Sequence, residues 1–241
     1  MNLLQMAQAL YGESGAAGSY PTTVVGATGQ WLRLVNWLIA SDLHIQNKWV
    51  NWKFLRSTYN FTTTPTLNTD PGPTNPTVGE WDFDAWYVTY PNDTVPSPII
   101  ATEFEMIKHD PVDPNDTGPP WRIVVMPDNT LRIDSIPDNS YPVQGDYYQT
   151  PVQMPAVDAS TSIIPARFHW TIIARALILY GKYENADSII AQGNDLYTDY
   201  LAQLETSQLP NAQNARGRSN SHFAVGDTGD GGGHYERRGR W

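Results

Sequence analysis

Residues 31–63, WLRLVNWLIASDLHIQNKWVNWKFLRSTYNFTT, decide the fold, because their hydrophobic spacing changes from a helical period to a strand period. Apolar residues recur every three or four positions as far as Ile45, which predicts a helix with one buried stripe. Trp49, Trp52 and Phe54 predict a second, short helix. From Tyr59 onward, aromatic and β-branched residues predict a strand.

The tryptophans of this stretch could form a platform for carbohydrate. At helical spacing they favour a place in the core or in a subunit interface instead, because each indole buries a large apolar area and keeps one N–H for a partner. These residues are Trp31, Trp37, Trp49 and Trp52.

The regions on both sides of this stretch complete a pattern of helices, strands and helices. Before it, an amphipathic helix begins at Leu3 and is expected to end at Gly12 or Gly15. After it, Pro127-Asp128-Asn129-Thr130 predicts the turn of a β-hairpin. The predicted strands cover residues 59–64, 80–89, 99–107, 121–126, 131–136 and 147–150.

The last periodic segment predicts two antiparallel helices. It begins at Pro165, which suits a first helical turn, and Gly181 is expected to end the first helix before a second runs through Leu204. We therefore predict an α+β fold: a helical bundle formed by the N- and C-terminal helices, an inserted antiparallel β-sheet or sandwich, and an extended C-terminal tail. The predicted parts are residues 1–57, 58–160, 161–209 and 210–241.

Charge divides the chain into an acidic body and a basic tail. The 241 residues carry a net charge of −10, and from Asn211 onward five arginines against three acidic residues make the tail +2, which leaves −12 for the body. The chain has no cysteine, which excludes disulfides, zinc–thiolate sites and thiol catalysis. Without a signal peptide or an apolar run long enough to span a bilayer, a soluble protein made in the cytoplasm, with no membrane partner, is expected.

No residue pattern indicates catalysis, a cofactor or a metal site. The acidic pairs Glu103/Glu105 and Asp82/Asp84 alternate on predicted strands, where such residues usually form the solvated face. His169 lies in an apolar helix and is predicted to be a core histidine with satisfied hydrogen bonds. We therefore expect no enzymatic activity, no cofactor and no metal.

The C-terminal tail has the composition of a partner-binding segment. Residues 217–239 contain too few apolar side chains to fold alone, so disorder until a partner binds is expected. Residues 226–234 are interpreted as a flexible linker rather than a calcium-binding turn. The aromatic and arginine side chains that follow are of the types enriched at interface hot spots.

Three stretches together resemble the head-to-tail adaptor (head completion, or connector) proteins of tailed bacteriophages: residues 31–63, quoted above, residues 121–151, WRIVVMPDNTLRIDSIPDNSYPVQGDYYQTP, and residues 164–186, IPARFHWTIIARALILYGKYENA. The resemblance implies a non-enzymatic virion protein at the head–tail junction, in a ring of about a dozen copies under the portal protein. It also implies that a tail or nozzle protein is bound below and that double-stranded DNA passes through the lumen without sequence-specific binding.

The resemblance gives the tail its role, because the C-terminal segment of such adaptors docks on the portal. The implied portal-binding residues are Arg216, Arg218, Phe223, Tyr235, Arg237, Arg238, Arg240 and Trp241.

One alternative function stays open at this point. The β-rich middle could be a glycan-binding module of a phage tail, with Trp81, Trp86 and Trp121 as its sugar-contacting faces. Such a module would not need the long terminal helices or the arginine-rich tail.

Overall fold

Helices at both ends of the body enclose the first core. The computed structural model describes residues 1–16, 18, 20, 22–108 and 115–210, and residues 1–209 form one compact unit. The main helices are α1 (Leu3–Ser14), α2 (Gly29–Gln46), α4 (His169–Glu184) and α5 (Asp187–Gln208), with the short α3 (Phe104–Ile107) inside the β region. Together with the strands, these helices confirm the predicted α+β fold.

Local sequence sets the ends of α1, and apolar spacing sets the buried stripe of α2. The Asn2 side chain accepts a hydrogen bond from the Gln5 amide, and the Gln5 side chain accepts one from the Asn2 amide, which forms a capping box. Gly15 adopts the left-handed conformation that ends α1, as the glycine predicted. The buried apolar residues of α2 are Leu34, Val35, Leu38, Ile39 and Ile45, which confirms the predicted stripe.

The prediction that Gly181 ends a helix is wrong. Helix α4 continues to Glu184 and ends at Asn185, which has the left-handed φ of 54°. A Cβ on Gly181 would lie 2.9 Å from Ile190 Cγ1, and one on Gly193 would lie 2.9 Å from Ile178 Cγ1. These glycines therefore allow α4 and α5 to approach closely as the predicted antiparallel pair.

The prediction of a second, short helix at Trp49, Trp52 and Phe54 is also wrong. Only one 3₁₀ turn, Lys53–Leu55, forms before the first strand begins at Arg56. Trp52 is fully buried and donates its indole N–H to the Ile45 carbonyl at 3.0 Å. Because this indole anchors the chain directly against the end of α2, the connection folds as a tight turn.

The β region consists of two four-stranded sheets and one two-stranded pair. The strands are β1 (Arg56–Thr62), β2 (Thr69–Asp70), β3 (Val78–Val88), β4 (Ser97–Pro98), β5 (Ile100–Glu103), β6 (Thr117–Gly118), β7 (Arg122–Val125), β8 (Leu131–Asp134), β9 (Ile136–Pro137) and β10 (Pro142–Gln149). Sheet one has the order β1-β10-β3-β4 and is antiparallel, sheet two has the order β2-β8-β7-β5, and β6 pairs with β9.

The predicted all-antiparallel arrangement needs two corrections. Strand β5 runs parallel to β7, and β6 runs parallel to β9. The strand predicted for residues 99–107 ends at Glu103, and Phe104–Ile107 is helical. The predicted hairpin of β7 and β8 is confirmed: the Met126 amide donates to the Thr130 carbonyl at 2.9 Å across the predicted turn.

Both four-stranded sheets contribute side chains to the second core. Trp81, Trp86 and Tyr147 come from sheet one, and Ile123 and Ile133 come from sheet two. Burial of these aromatic and branched side chains supplies most of the stabilising free energy of such a region. Within the described part of the chain, no helix is both long and apolar enough to span a membrane.

Candidate interaction surfaces

The acidic side chains considered for catalysis do not form a constellation. Glu103 ends β5 whereas Glu105 lies in α3, where it pairs with Lys108 at 3.3 Å. Asp82 pairs with Arg56 at 2.9 Å, and Asp84 is exposed. Across the described ranges, no group of three histidine, cysteine or acidic residues could hold a metal ion.

His169 is a structural histidine, as predicted. Its ring is buried, with Nδ1 3.0 Å from the Met1 amino group and Nε2 2.9 Å from the Ile164 carbonyl oxygen. Since an ammonium group donates to Nδ1, the Nε2–H donates to the carbonyl, which fixes a neutral tautomer. Burial lowers the pKa of this imidazole below its usual range.

Residues 150–165, here called the strap, connect the β region to α4 and cross a buried polar site on α2. Asp42 of α2 is fully buried and accepts hydrogen bonds from Ser162 Oγ and, at 2.9 Å, from Gln46 Nε2. Gln46 also accepts a hydrogen bond from the Val152 amide and donates one to the Val152 carbonyl. Desolvation raises the pKa of Asp42 to about 6, against the two hydrogen bonds, which lower it.

A second acidic side chain fixes the middle of the strap. Asp158 accepts hydrogen bonds from the Val24 amide at 2.6 Å and from the Thr23 hydroxyl at 2.8 Å. The backbone carbonyls of Asp158 and Ser160 accept from the first residues of α1. The strap is therefore held by α1, α2 and the loop between them.

The three tryptophans proposed for glycan binding do not share a surface. Trp81 and Trp86 are only 5% and 1% exposed and belong to the β-region core. Trp121 is 47% exposed, with the Arg122 guanidinium 4.4 Å from the centre of its ring. A sugar platform made of all three side chains is therefore absent from this structure.

Trp49 is an exposed aromatic side chain held in a fixed position. It lies in the connection between α2 and β1, and Glu205 of α5 accepts its indole N–H at 3.0 Å. The same Glu205 oxygen lies 2.8 Å from Lys48 Nζ. Trp49 and its neighbour Val50 are about half exposed, at 44% and 51%. We call Lys48, Trp49, Val50 and Lys53 the Trp49 turn.

Cations collect around the C-terminal end of α5, in contrast to the acidic body. Lys53 Nζ lies 3.3 Å from the Ser207 carbonyl, and Arg167 donates to the Ser207 hydroxyl. Both positions suit the partial negative charge at a helix C-terminus. Helix α5 itself contains no lysine or arginine but carries Asp187, Asp195, Asp199 and Glu205.

A groove of about 320 Å³ lies between β3, β5, α3 and β7. Its floor contains the half-buried side chains of Phe83, Phe104 and Met126, and its rim contains the exposed Glu80, Glu103 and Glu105. In the described part of the chain, Glu80 and Glu103 have no salt-bridge partner. We call these six residues the acidic groove.

The residues predicted to bind the portal lie outside the described residues. They are Arg216, Arg218, Phe223, Tyr235, Arg237, Arg238, Arg240 and Trp241. The predicted disorder of the tail falls on the same positions. Sequence reasoning missed the acidic groove, because its side chains come from separate elements that only the fold brings together. It named Trp49 but left a core position and an interface position open, because the exposure of this indole depends on which of its neighbours are buried.

Comparison with known proteins agrees with a structural role. A family model described as SU10 adaptor protein matches residues 2–221. No curated protein matches the chain significantly.

Proposed function

The chain belongs to the SU10 adaptor protein family, whose role is structural rather than catalytic, and from this premise we propose that it is the head-to-tail adaptor of a tailed bacteriophage. In this proposal, about twelve copies form a closed ring under the portal protein at the head–tail junction of the virion. The family match, which spans almost the whole body and the start of the tail, carries the proposal.

The C-terminal tail is proposed to dock on the portal. Its arginines would pair with acidic portal groups, and its aromatic side chains would fill apolar pockets. A segment that orders on binding loses conformational entropy but can wrap a partner. Many tails attached to one ring would add avidity, so that weak individual contacts give a stable complex.

The opposite end of the ring is proposed to receive a tail or nozzle protein, and the lumen to continue the DNA channel. The charge of the body supports this role, because its net charge of −12 is repelled by phosphate groups. Helix α5, with four acidic residues and no basic one, is a candidate for a surface over which DNA slides without sticking.

The test of this function is assembly with the portal ring of the same phage. Full-length protein and a chain that ends at Pro210 are mixed with the portal, and the mass of each complex is measured by light scattering after size-exclusion chromatography. We expect the full-length chain to bind in many copies and the shortened chain to remain unbound. Circular dichroism should show that the shortened chain keeps its helices, since residues 1–209 form a compact unit.

A matched pair of tail variants tests the chemistry of docking. Changing Arg237, Arg238 and Arg240 to glutamate should abolish portal binding, whereas serines in place of the glycines at 231–233 should leave it unchanged. Equal binding by all variants, or by the chain that ends at Pro210, would contradict a docking role for the tail.

A further inference from the structure

The Trp49 turn has the properties of an interface hot spot. Its indole is exposed, but its orientation is fixed by Glu205, and the buried Trp52 three residues later anchors the turn. A side chain that is already ordered loses little entropy when a partner covers it. Tryptophan is also among the residue types that contribute most to interface affinity. The turn therefore presents a rigid apolar contact next to the cations of Lys48 and Lys53.

The acidic groove has the complementary properties. Its apolar floor can accommodate the indole and the valine of the Trp49 turn. Its rim carries three carboxylates, which are opposite in charge to the two lysines of the turn. In the described part of the chain, Lys53 forms no salt bridge with an acidic residue, and Glu80 and Glu103 form none with a basic residue. Contact between the two surfaces would pair these charges around a covered apolar centre.

We infer that the Trp49 turn of one copy inserts into the acidic groove of a second copy, and that this contact joins neighbouring subunits of the adaptor ring. The inference rests on the proposed function for the existence of a ring. Two different surfaces meet in such a contact, so each copy offers one of each, and repetition of the contact can close a ring.

Cross-linking between two singly substituted chains tests which surfaces meet. The chain has no natural cysteine, so Val50→Cys and Met126→Cys each introduce a unique thiol. The two full-length variants are mixed, assembled with the portal ring and treated with a short bismaleimide. The expected product is a dimer of one Val50→Cys chain and one Met126→Cys chain, identified by mass spectrometry of the linked peptides.

The control variant carries Trp121→Cys in place of Met126→Cys, because Trp121 is an exposed position on the β region that does not line the groove. This pair should give little cross-link. Linkage of Val50→Cys only to itself, or only to the portal, would overturn the inference, as would equal linkage to both β-region positions.

Charge reversal provides a second test. Val50→Glu with Lys53→Glu reverses the charge of the turn but keeps the contacts of Glu205 with Lys48 and Trp49. Glu80→Lys with Glu103→Lys reverses the charge of the groove. Either pair alone should lower the number of copies per portal at limiting concentration, and all four changes in one chain should restore it. Trp49→Ala should weaken association between copies about 30-fold, whereas Trp121→Ala should not. If the fourfold variant binds no more copies per portal than either pair of substitutions alone, the inference is overturned.

The two proposals fail differently. If wild-type protein does not bind the portal, the proposed function fails, and the same cross-link is then sought in concentrated protein without the portal. If wild-type protein binds but neither cross-linking nor charge reversal behaves as expected, only the contact between copies is wrong.

Discussion

Replacing Asp42 by asparagine should remove a pH-dependent cost to the stability of the body. In the folded protein the pKa of Asp42 is raised from 3.8 to about 6, because desolvation outweighs the hydrogen bonds from Ser162 and Gln46. The folded state therefore binds a proton more tightly than the unfolded state. Protonation of Asp42 favours folding, and this contribution is lost as the pH rises from about 4 to about 6.

The size of the effect follows from the shift. A difference of about 2 pKa units changes the contribution of Asp42 to the unfolding free energy by roughly 3 kcal/mol between low pH and pH 7. This value is the upper bound on the effect of this one carboxyl group. Asparagine has no charge to desolvate. Its carbonyl can accept from Gln46 Nε2 while its amide donates to Ser162 Oγ, which already accepts from the Ile164 amide. We expect Asp42→Asn to be as stable as wild type or more stable at pH 7.

The assay is urea denaturation followed by circular dichroism at pH values from 4.5 to 7.5. Other groups titrate in this range, so the measured quantity is the difference in unfolding free energy between wild type and variant at each pH. This difference should change by roughly 2 kcal/mol in favour of the variant as the pH rises through this range. The control is Asp199→Asn on the exposed part of α5. A difference that stays constant with pH, or equals that of the control, would refute the reasoning.

Three further substitutions test the packing and the polar contacts. Gly193→Ala should destabilise the body by about 1–3 kcal/mol in thermal unfolding, because its Cβ would meet Ile178 at 2.9 Å, and an unchanged Tm would show that α5 can move away. Trp52→Ala should cost about 3–5 kcal/mol, whereas Trp49→Ala should cost less than about 1 kcal/mol, and urea denaturation of both variants should separate the buried from the exposed indole. His169→Gln should gain stability relative to wild type as the pH falls below 6.5, since the lowered pKa makes protonation of His169 oppose folding; a difference in unfolding free energy that stays constant with pH would exclude this histidine as a source of pH dependence.

The sequence predicted those elements whose signal is local. The stripe of α2 and the turn at Pro127-Asp128-Asn129-Thr130 both depend on neighbouring residues, and both formed as expected. Gly181 was interpreted by the same local logic and gave a wrong result. Its function in packing depends on Ile190, whose position is set only when α4 and α5 meet.

Strand β10 shows the same limit in the β region. Only its last residues were predicted, because Pro142, Gly145 and Asp146 are typical of loops. In the structure β10 is a central strand, and a Cβ on Gly145 would lie 2.6 Å from the Trp86 indole. The glycine is needed where that ring covers the backbone, which is a tertiary requirement.

The interaction surfaces were beyond local prediction for a related reason. Trp49, Trp52 and Phe54 have similar character in the sequence, and their spacing predicted a short helix whose tryptophans lie in the core or in a subunit interface. Once Trp52 is buried and β1 begins at Arg56, the chain has room for only a tight turn, and Trp49 remains on the surface beside Glu205. The change of period that decides the fold therefore also produces the exposed indole. A subunit contact at this turn would depend on the same junction that connects the helical core to the β region.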